Sequence, residues 1–163
     1  GYGPGGTAIL LQVLTDNKNR TVSEVRSTFT KIGGSMAEAG AVAWQFEQKG
    51  VVVVNANEDQ SDELTLVAID AGADDIETVD TTLHAYSAPS DMEEIRRTLS
   101  ESGADIESSE LAMVPKNTIA LDDKTAMQAL RLLDQLEELD DIQKVFSNAD
   151  FPDEALEEYA NTA

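Results

Sequence analysis

The chain has 163 residues, of which 41% are hydrophobic, and its 32 acidic and 11 basic residues give a formal net charge of −21. This balance excludes a generally basic nucleic-acid binder, and the absence of cysteine excludes disulfides, thiol nucleophiles and thiolate metal sites. The apolar runs are far shorter than the roughly 20 residues that cross a bilayer. Since the sequence opens on Gly1 without a signal peptide, we expect a soluble piece of a longer protein with no membrane partner.

The charge is distributed unevenly along the chain. Residues 1–57 carry five basic and four acidic side chains, whereas residues 58–163 carry six basic and 28 acidic ones. A contact with phosphate is therefore expected in the first third of the chain. The acidic remainder is expected to face water, or else a basic protein surface.

The first third predicts a β-α-β-β order. The apolar run at 7–14 is typical of a buried strand. A helix is predicted over 21–32, with a capping box formed by Thr21 and Glu24 and with Gly33-Gly34 as its stop. Two strands are predicted at 42–46 and 51–54, joined by a turn around Gln48-Lys49-Gly50.

The middle of the chain predicts a second set of elements. A helix starts at Ser61 and ends at Gly72, and residues 82–86 alternate like a strand. A capping box at Ser90 opens another helix, and a strand at 109–114 follows it.

The last third predicts one long helix and one short strand. Asp122 or Asp123 caps the helix, and the strand covers 142–146. The acidic tail, residues 151–163, is expected to be either a last helical turn or frayed.

This element order predicts the α+β class, with two small α/β sandwich domains. Residues 1–57 and 116–150 together supply the β-α-β-β-α-β elements of a ferredoxin-like domain. Residues 58–115 hold enough helices and strands for a separate domain inserted into the first. The hinges are expected near Asn55–Asn57 and Pro115–Asn117.

No motif in the sequence indicates catalysis. The glycine-rich start lacks the Lys-Ser/Thr of a phosphate-binding loop, and Asp16–Arg20 has cations where a calcium loop needs oxygen ligands. The single histidine, His84, lies in a predicted strand and is interpreted as structural. We therefore predict no enzyme activity, no catalytic residue, no metal site and no cofactor.

The stretch from Asn17 to Lys31 concentrates the cations of the first third. Lys18 and Arg20 precede the predicted helix, whose N-terminal N–H groups also attract anions. Arg26 lies away from the apolar face, and Lys31 lies in the last turn. The pattern fits either an ordinary solvated helix face or a contact with a polyanion.

Several motifs together resemble the YebC family, which includes the mitochondrial translational activator of cytochrome c oxidase subunit I. The resemblance extends over nearly the whole chain, in the order of the family. The matching stretches are Gly1–Gly6, Leu14–Arg26, Phe29–Lys31 with Gly33-Gly34, Ala71–Asp75, Tyr86–Pro89, Leu139–Phe146 and Asn148–Asp150.

The resemblance implies three domains: an N-terminal helical domain, absent from this chain, and two α/β domains around a cleft, the third inserted into the second. It also implies a regulator of gene expression without enzymatic activity. Members have been labelled DNA-binding transcriptional regulators, while the mitochondrial member and bacterial ones are implicated in translation on the ribosome. The implied location is the cytoplasm, or the mitochondrial or plastid matrix in a eukaryote.

These implications lead to one main hypothesis and two alternatives. The main hypothesis is a ribosome- or RNA-associated translation factor, monomeric by expectation. The alternatives are a transcriptional regulator that binds duplex DNA through the missing domain, and a protein-interaction module with an acidic cleft. Carried over from the family signature, the residues expected to face nucleic acid are Asn17, Asn19, Arg20, Arg26 and Lys31.

Overall fold

The computed structural model describes residues 1–162, which divide into two compact units. The first unit consists of Gly1–Glu47 and the residues from Val114 onward, and the second consists of Gln48–Met113. Both units combine helices with strands, so the predicted α+β class is confirmed.

The described residues form five α-helices and eight strands. The helices are α1 (Lys18–Lys31), α2 (Glu58–Asp70), α3 (Met92–Glu101), α4 (Asp123–Glu137) and α5 (Asp153–Thr162). The strands are β1 (Ile9–Val13), β2 (Phe46–Asn55), β3 (Asp75–Val79), β4 (Thr82–Ser87), β5 (Asp105–Pro115), β6 (Ile119–Ala120), β7 (Ile142–Ser147) and β8 (Ala149–Asp150). Short 3-10 turns lie at Pro4–Gly6, Ala43–Gln45 and Pro89–Asp91.

The first unit is built around β1, which pairs antiparallel with β7 in a two-stranded sheet. The short strands β6 and β8 form a separate parallel pair. Helices α1 and α4 bury their apolar sides against β1, with Phe29, Leu132 and Leu136 fully buried among them. This packing holds α1 by one side and leaves its other side in solvent.

The second unit contains a four-stranded sheet in the order β3-β4-β2-β5. Strand β4 pairs antiparallel with both β2 and β3. Together with α2 and α3, these strands run β-α-β-β-α-β along the chain, which is the split β-α-β arrangement. The ferredoxin-like pattern was predicted for residues 1–57 with 116–150, but the structure has it in this unit instead. The strands of the first unit pair two by two.

The ferredoxin-like pattern was predicted for the wrong unit because β2 is one continuous strand of 10 residues. The two strands predicted at 42–46 and 51–54, with a turn between them, were therefore wrong. Residues 43–45 are a 3-10 turn, and the chain passes between the units at residues 47 and 48. The expected hinge at Asn55–Asn57 instead lies inside the second unit, where Asn57 caps α2.

Helix α1 starts four residues earlier than its capping box predicted. Asn17 is the N-cap, and its side-chain oxygen accepts a hydrogen bond from the N–H of Arg20 at 3.1 Å. Thr21 therefore lies inside the first turn, where it is buried. The predicted stop is confirmed, because Gly33 has φ +86°, a conformation that favours glycine, and the N–H of Gly34 donates to the carbonyl of Phe29.

The remaining helix starts were predicted with mixed success. Asp122 caps α4 as predicted, accepting from the N–H of Thr125 at 2.7 Å. Helix α2 begins at Glu58 rather than at Ser61, and α3 begins at Met92, because Ser90 lies in a 3-10 turn. The acidic tail forms α5, which is longer than a single turn.

Candidate nucleic-acid interface

The outer side of α1 carries most of the residues that were expected to face nucleic acid. Its inner side is fixed by Val25 and Phe29, which are buried against the core. Asn19, Arg26 and Lys31 are exposed side chains on this helix. The helix therefore presents polar and cationic groups from a rigid element, as a binding surface requires.

The N-terminus of α1 is stabilised by a network centred on Asp141, the residue just before β7. Asp141 Oδ2 accepts hydrogen bonds from the hydroxyls of Thr21 (2.6 Å) and Thr15 (3.0 Å) and from Arg20 Nη2 (2.9 Å). These donors, Thr21 first and then Arg20, hold the pKa of Asp141 below its ordinary value. The network joins the start of α1 to the residue that precedes β7, which is 121 positions from Arg20.

Arg20 is thereby partly neutralised. Its Nη2 also donates to Asp16 Oδ1 at 3.1 Å, so one nitrogen is shared by two carboxylates. The hydrogen bond that Arg20 donates to Asp141 is the main cause that raises the pKa of Arg20. Its other guanidinium nitrogens have no hydrogen bond within the described part of the chain, so Arg20 can still donate to an oxyanion outside the network.

The five expected residues do not form one surface. Because a helix has 3.6 residues per turn, Asn19 and Arg26 lie two turns apart on one side, and Arg20 and Lys31 lie three turns apart on another. Glu24 lies between Arg20 and Lys31 and adds a carboxylate to that row. The first row includes no carboxylate, and it continues through two hydroxyl residues that were not among the five expected ones. We call this row the α1 polar row: Asn19, Ser23, Arg26 and Thr30.

Asn17 and Lys31 sit at the two ends of the helix, about 20 Å apart. The side chain of Asn17 is engaged as the N-cap through its oxygen. Lys31 borders a shallow site with Arg131 and Asp134 of α4. The structure thus groups Asn19 and Arg26, keeps Arg20 beside them at the helix start, and separates Lys31 from all three.

The opposite side of α1 borders an apolar cavity of about 540 Å³. Its walls come from β1, from the buried side of α1 and from the loop at 36–42, with Leu11, Val25 and Met36 among them. Most of the lining is apolar, and its charged side chains are Lys18 and Glu38, so it offers no cluster of cations to a polyanion. The cavity therefore does not extend the polar site.

No group of three or more histidine, aspartate or glutamate side chains among the described residues could hold a metal ion, and no described helix is long and apolar enough to cross a membrane. His84 Nε2 lies 3.2 Å from the hydroxyl of Thr82, and its ring stacks near Tyr86. These contacts agree with its interpretation as a structural strand histidine.

Comparison with known proteins places this α+β chain in a family. A family profile described as the TACO1/YebC second and third domain matches residues 1–149. A probable transcriptional regulatory protein of Dehalococcoides mccartyi strain BAV1 is 55% identical over 163 residues, which are 100% of this chain and 65% of the relative. Another, from Halothermothrix orenii, is 48% identical over 161 residues, covering 97% of this chain and 64% of the relative.

A solved structure has the same fold. The crystal structure of a conserved hypothetical protein from Aquifex aeolicus superposes with a TM-score of 0.86 and 40% identity, covering 94% of this chain and 63% of that one. The chain belongs to the TACO1/YebC family and corresponds to its second and third domains. It spans about two thirds of the length of these relatives.

Proposed function

We propose that this chain is part of a non-enzymatic regulator of gene expression that binds RNA, most directly as a cytoplasmic translation factor at the ribosome. The regulatory role is supported by the names of the relatives, which are probable transcriptional regulatory proteins. The RNA contact is assigned to the α1 polar row together with Arg20. Phosphate oxygens accept from Arg26 and Arg20, and the amide of Asn19 and the hydroxyl of Ser23 donate alongside.

One observation carries this proposal: a carboxylate-free polar row on an otherwise strongly acidic chain. With a net charge of −21, most of the surface repels a polyanion. The α1 polar row has an arginine and three uncharged hydrogen-bonding side chains within about 16 Å along the helix. The α1 polar row therefore offers phosphate a narrow strip, which suits a factor docking at one position on a large RNA.

Two other functions have specific observations in their favour. The relatives are named probable transcriptional regulatory proteins, which favours a transcriptional role. Binding of duplex DNA in that role would depend on segments of those proteins that this chain does not match. Binding of a basic protein follows from the 28 acidic residues in 58–163. Both differ from the main proposal in what they predict for α1: neither needs Arg20 or Arg26.

Co-sedimentation with bacterial ribosomes tests the proposal. The chain is pelleted with ribosomes at several salt concentrations, beside the double variant Arg20→Ala/Arg26→Ala. The matched control is Arg96→Ala/Arg97→Ala, which removes the same charge from the half-buried Arg96 and the exposed Arg97 on α3. We expect the α1 variant to lose most of its binding and the α3 variant to keep it.

Three outcomes would contradict the proposal in different ways. Equal loss in both double variants would mean that only net charge matters. Failure of the parent chain to pellet at low salt, combined with binding to promoter duplexes by a longer relative, would favour the transcriptional alternative. Formation of a salt-sensitive complex with a basic protein in the absence of nucleic acid would favour the interaction module.

A further inference from the structure

The most exposed large aromatic side chain of the described residues is Trp44, with 70% of its surface accessible. Tryptophan usually buries most of its large apolar area, so this degree of exposure is unusual. Trp44 is also the single tryptophan in the chain. It lies outside α1 and outside the α1 polar row.

Trp44 is held on a rigid turn. It lies in the 3-10 turn Ala43–Gln45, between Val42 and Phe46, which are both buried. The N–H of Gln45 donates to the carbonyl of Val42 at 3.0 Å and closes the turn. The buried side chains of Val42 and Phe46 fix the backbone on both sides of Trp44. Binding a ligand to the indole therefore costs little additional backbone entropy.

The same turn is tied to a second segment. The carbonyl of Gln45 accepts from the N–H of Lys116 at 2.9 Å, and its side-chain oxygen accepts from Asn148 Nδ2 at 3.3 Å. Asn148 is buried and also accepts from the N–H of Ala8 at 2.7 Å. The backbone of Lys116 is therefore fixed beside the residue that follows Trp44.

The two segments that meet here carry few charged side chains. Residues 39–46 contain no charged side chain, and residues 114–121 contain one, the exposed Lys116. The carboxylate nearest to Trp44 in sequence is that of Glu47. We call four of the exposed residues of these two segments, Trp44 and Lys116–Thr118, the indole patch.

We propose that the indole patch binds an unpaired base of single-stranded RNA, with the base stacked on Trp44 and a neighbouring phosphate on Lys116. The inference rests on the proposed RNA-binding function and deepens it. A lone aromatic ring accompanied by a cation and short polar side chains matches how proteins hold unpaired bases. A protein partner would instead require a wider surface of large apolar side chains. Apart from Trp44, the exposed residues of these segments are polar at 116–118 and small at 39–41 and 120.

The single tryptophan makes a direct measurement possible. The chain is titrated with a labelled oligoadenylate, and two signals are read: the anisotropy of the label, which reports any binding, and the fluorescence of Trp44. Stacking places the base on the indole, so we expect quenching that follows the anisotropy. We expect Trp44→Ala to weaken binding about 5- to 150-fold, the range that stacking energies per base imply.

Matched variants separate stacking from general hydrophobicity and from instability. Trp44→Phe keeps a ring and should retain much of the affinity, whereas Trp44→Leu keeps apolar bulk without a ring and should resemble Trp44→Ala. Leu66→Ala removes an apolar side chain that is 64% exposed in the second unit, and it should change nothing. Thermal melts of all four variants check that each is folded.

The outcomes distinguish this inference from the function on which it rests. If anisotropy reports binding that Arg20→Ala/Arg26→Ala abolishes while Trp44 fluorescence stays constant, the indole patch is refuted and the RNA-binding proposal stands. If Trp44→Leu binds as well as the parent, the contact is hydrophobic burial and stacking is refuted. If neither signal changes at low salt, both proposals fail.

Discussion

At the scale of single residues, Asp141 determines how Arg20 is presented. Its carboxylate accepts from Thr15, Thr21 and Arg20, so it both fixes the start of α1 and neutralises part of the guanidinium charge. Removal of this carboxylate must loosen the structure while leaving Arg20 more available to phosphate. Stability and RNA affinity are therefore expected to change in opposite directions.

The variant Asp141→Asn tests this role through pH. The folded-state pKa of Asp141 lies below its ordinary value of 3.8, so the ionised carboxylate stabilises the fold above that pH. This stabilisation is lost as the pH falls through the lowered pKa. We expect the melting temperature of the variant to be below that of the parent at neutral pH, with a difference that shrinks in acid.

The control for this prediction is Asp140→Asn, which removes the same charge from the exposed neighbouring residue. If both variants lower the melting temperature equally at neutral pH, the hydrogen-bonded network is not the cause. Calorimetric melts across the acid range give the necessary comparison.

At the scale of elements, α1 has two tasks: its first backbone N–H groups need hydrogen-bond acceptors, and its outer side presents the proposed binding face. Asn17 belongs to both tasks, since its oxygen caps the helix and its amide was expected to face nucleic acid. Asn17→Ala should lower the free energy of unfolding by about 1 kcal/mol. Asn17→Ser restores a cap but not the amide, so it should recover stability. Urea denaturation measures the first effect.

RNA binding by the same two variants separates the tasks. If the amide contacts RNA, Asn17→Ser binds as weakly as Asn17→Ala despite its restored stability. If Asn17→Ser binds like the parent, Asn17 is a cap alone, and it leaves the set of RNA-facing residues.

Gly50 explains why the strands around it were predicted incorrectly. In sequence, a glycine after Gln48-Lys49 is typical of a turn, but here it lies buried within β2. A Cβ on Gly50 would lie 2.6 Å from Met92 Cβ, so the glycine lets α3 approach the strand. Local composition cannot distinguish a glycine needed for a turn from one needed for close packing, since the second need arises from a residue 42 positions away.

A substitution at Gly50 should be costly because of this contact. We expect Gly50→Ala to destabilise the fold by about 1–3 kcal/mol, as overpacking commonly does. In a Met92→Gly background the three atoms nearest to the added methyl are removed, so the cost should decrease. A double-mutant cycle by urea denaturation measures the coupling. Additive effects would show that Met92 is not the obstacle.

Features of the molecule that depend on residues nearby in sequence were predictable, and features that depend on distant residues were not. Helical periodicity, the Asp122 cap and the Gly33 stop were predictable, because each depends on residues within one or two turns. The cations of α1 were predictable too, since exposure follows from the same periodicity. The partner of Arg20 was not, because Asp141 lies 121 residues away. The exposure of Trp44 was not predictable either. In the predicted strand at 42–46, Trp44 would share one face with Val42 and Phe46, which are both buried.

At the scale of the whole molecule, the net charge of −21 makes salt act on stability and binding in opposite senses. At about 0.01 M salt the Debye length is about 30 Å, so carboxylates repel each other across the chain, and at about 0.1 M it is about 10 Å. Screening should therefore raise the melting temperature over this range. The same ions compete with protein cations at phosphate, so RNA affinity should fall.

The dependence of the RNA-binding constant on salt concentration shows which cations of the protein contact phosphate. For single-stranded nucleic acid, the logarithm of the binding constant falls with the logarithm of salt by about 0.7 for each neutralised phosphate. If Arg20 and Arg26 each contact one phosphate, Arg20→Ala/Arg26→Ala should reduce the slope by about 1.4. Arg96→Ala/Arg97→Ala has the same net charge and should keep the parent slope. A reduced slope in both variants would mean that the charge of the whole chain, rather than the α1 surface, governs the interaction.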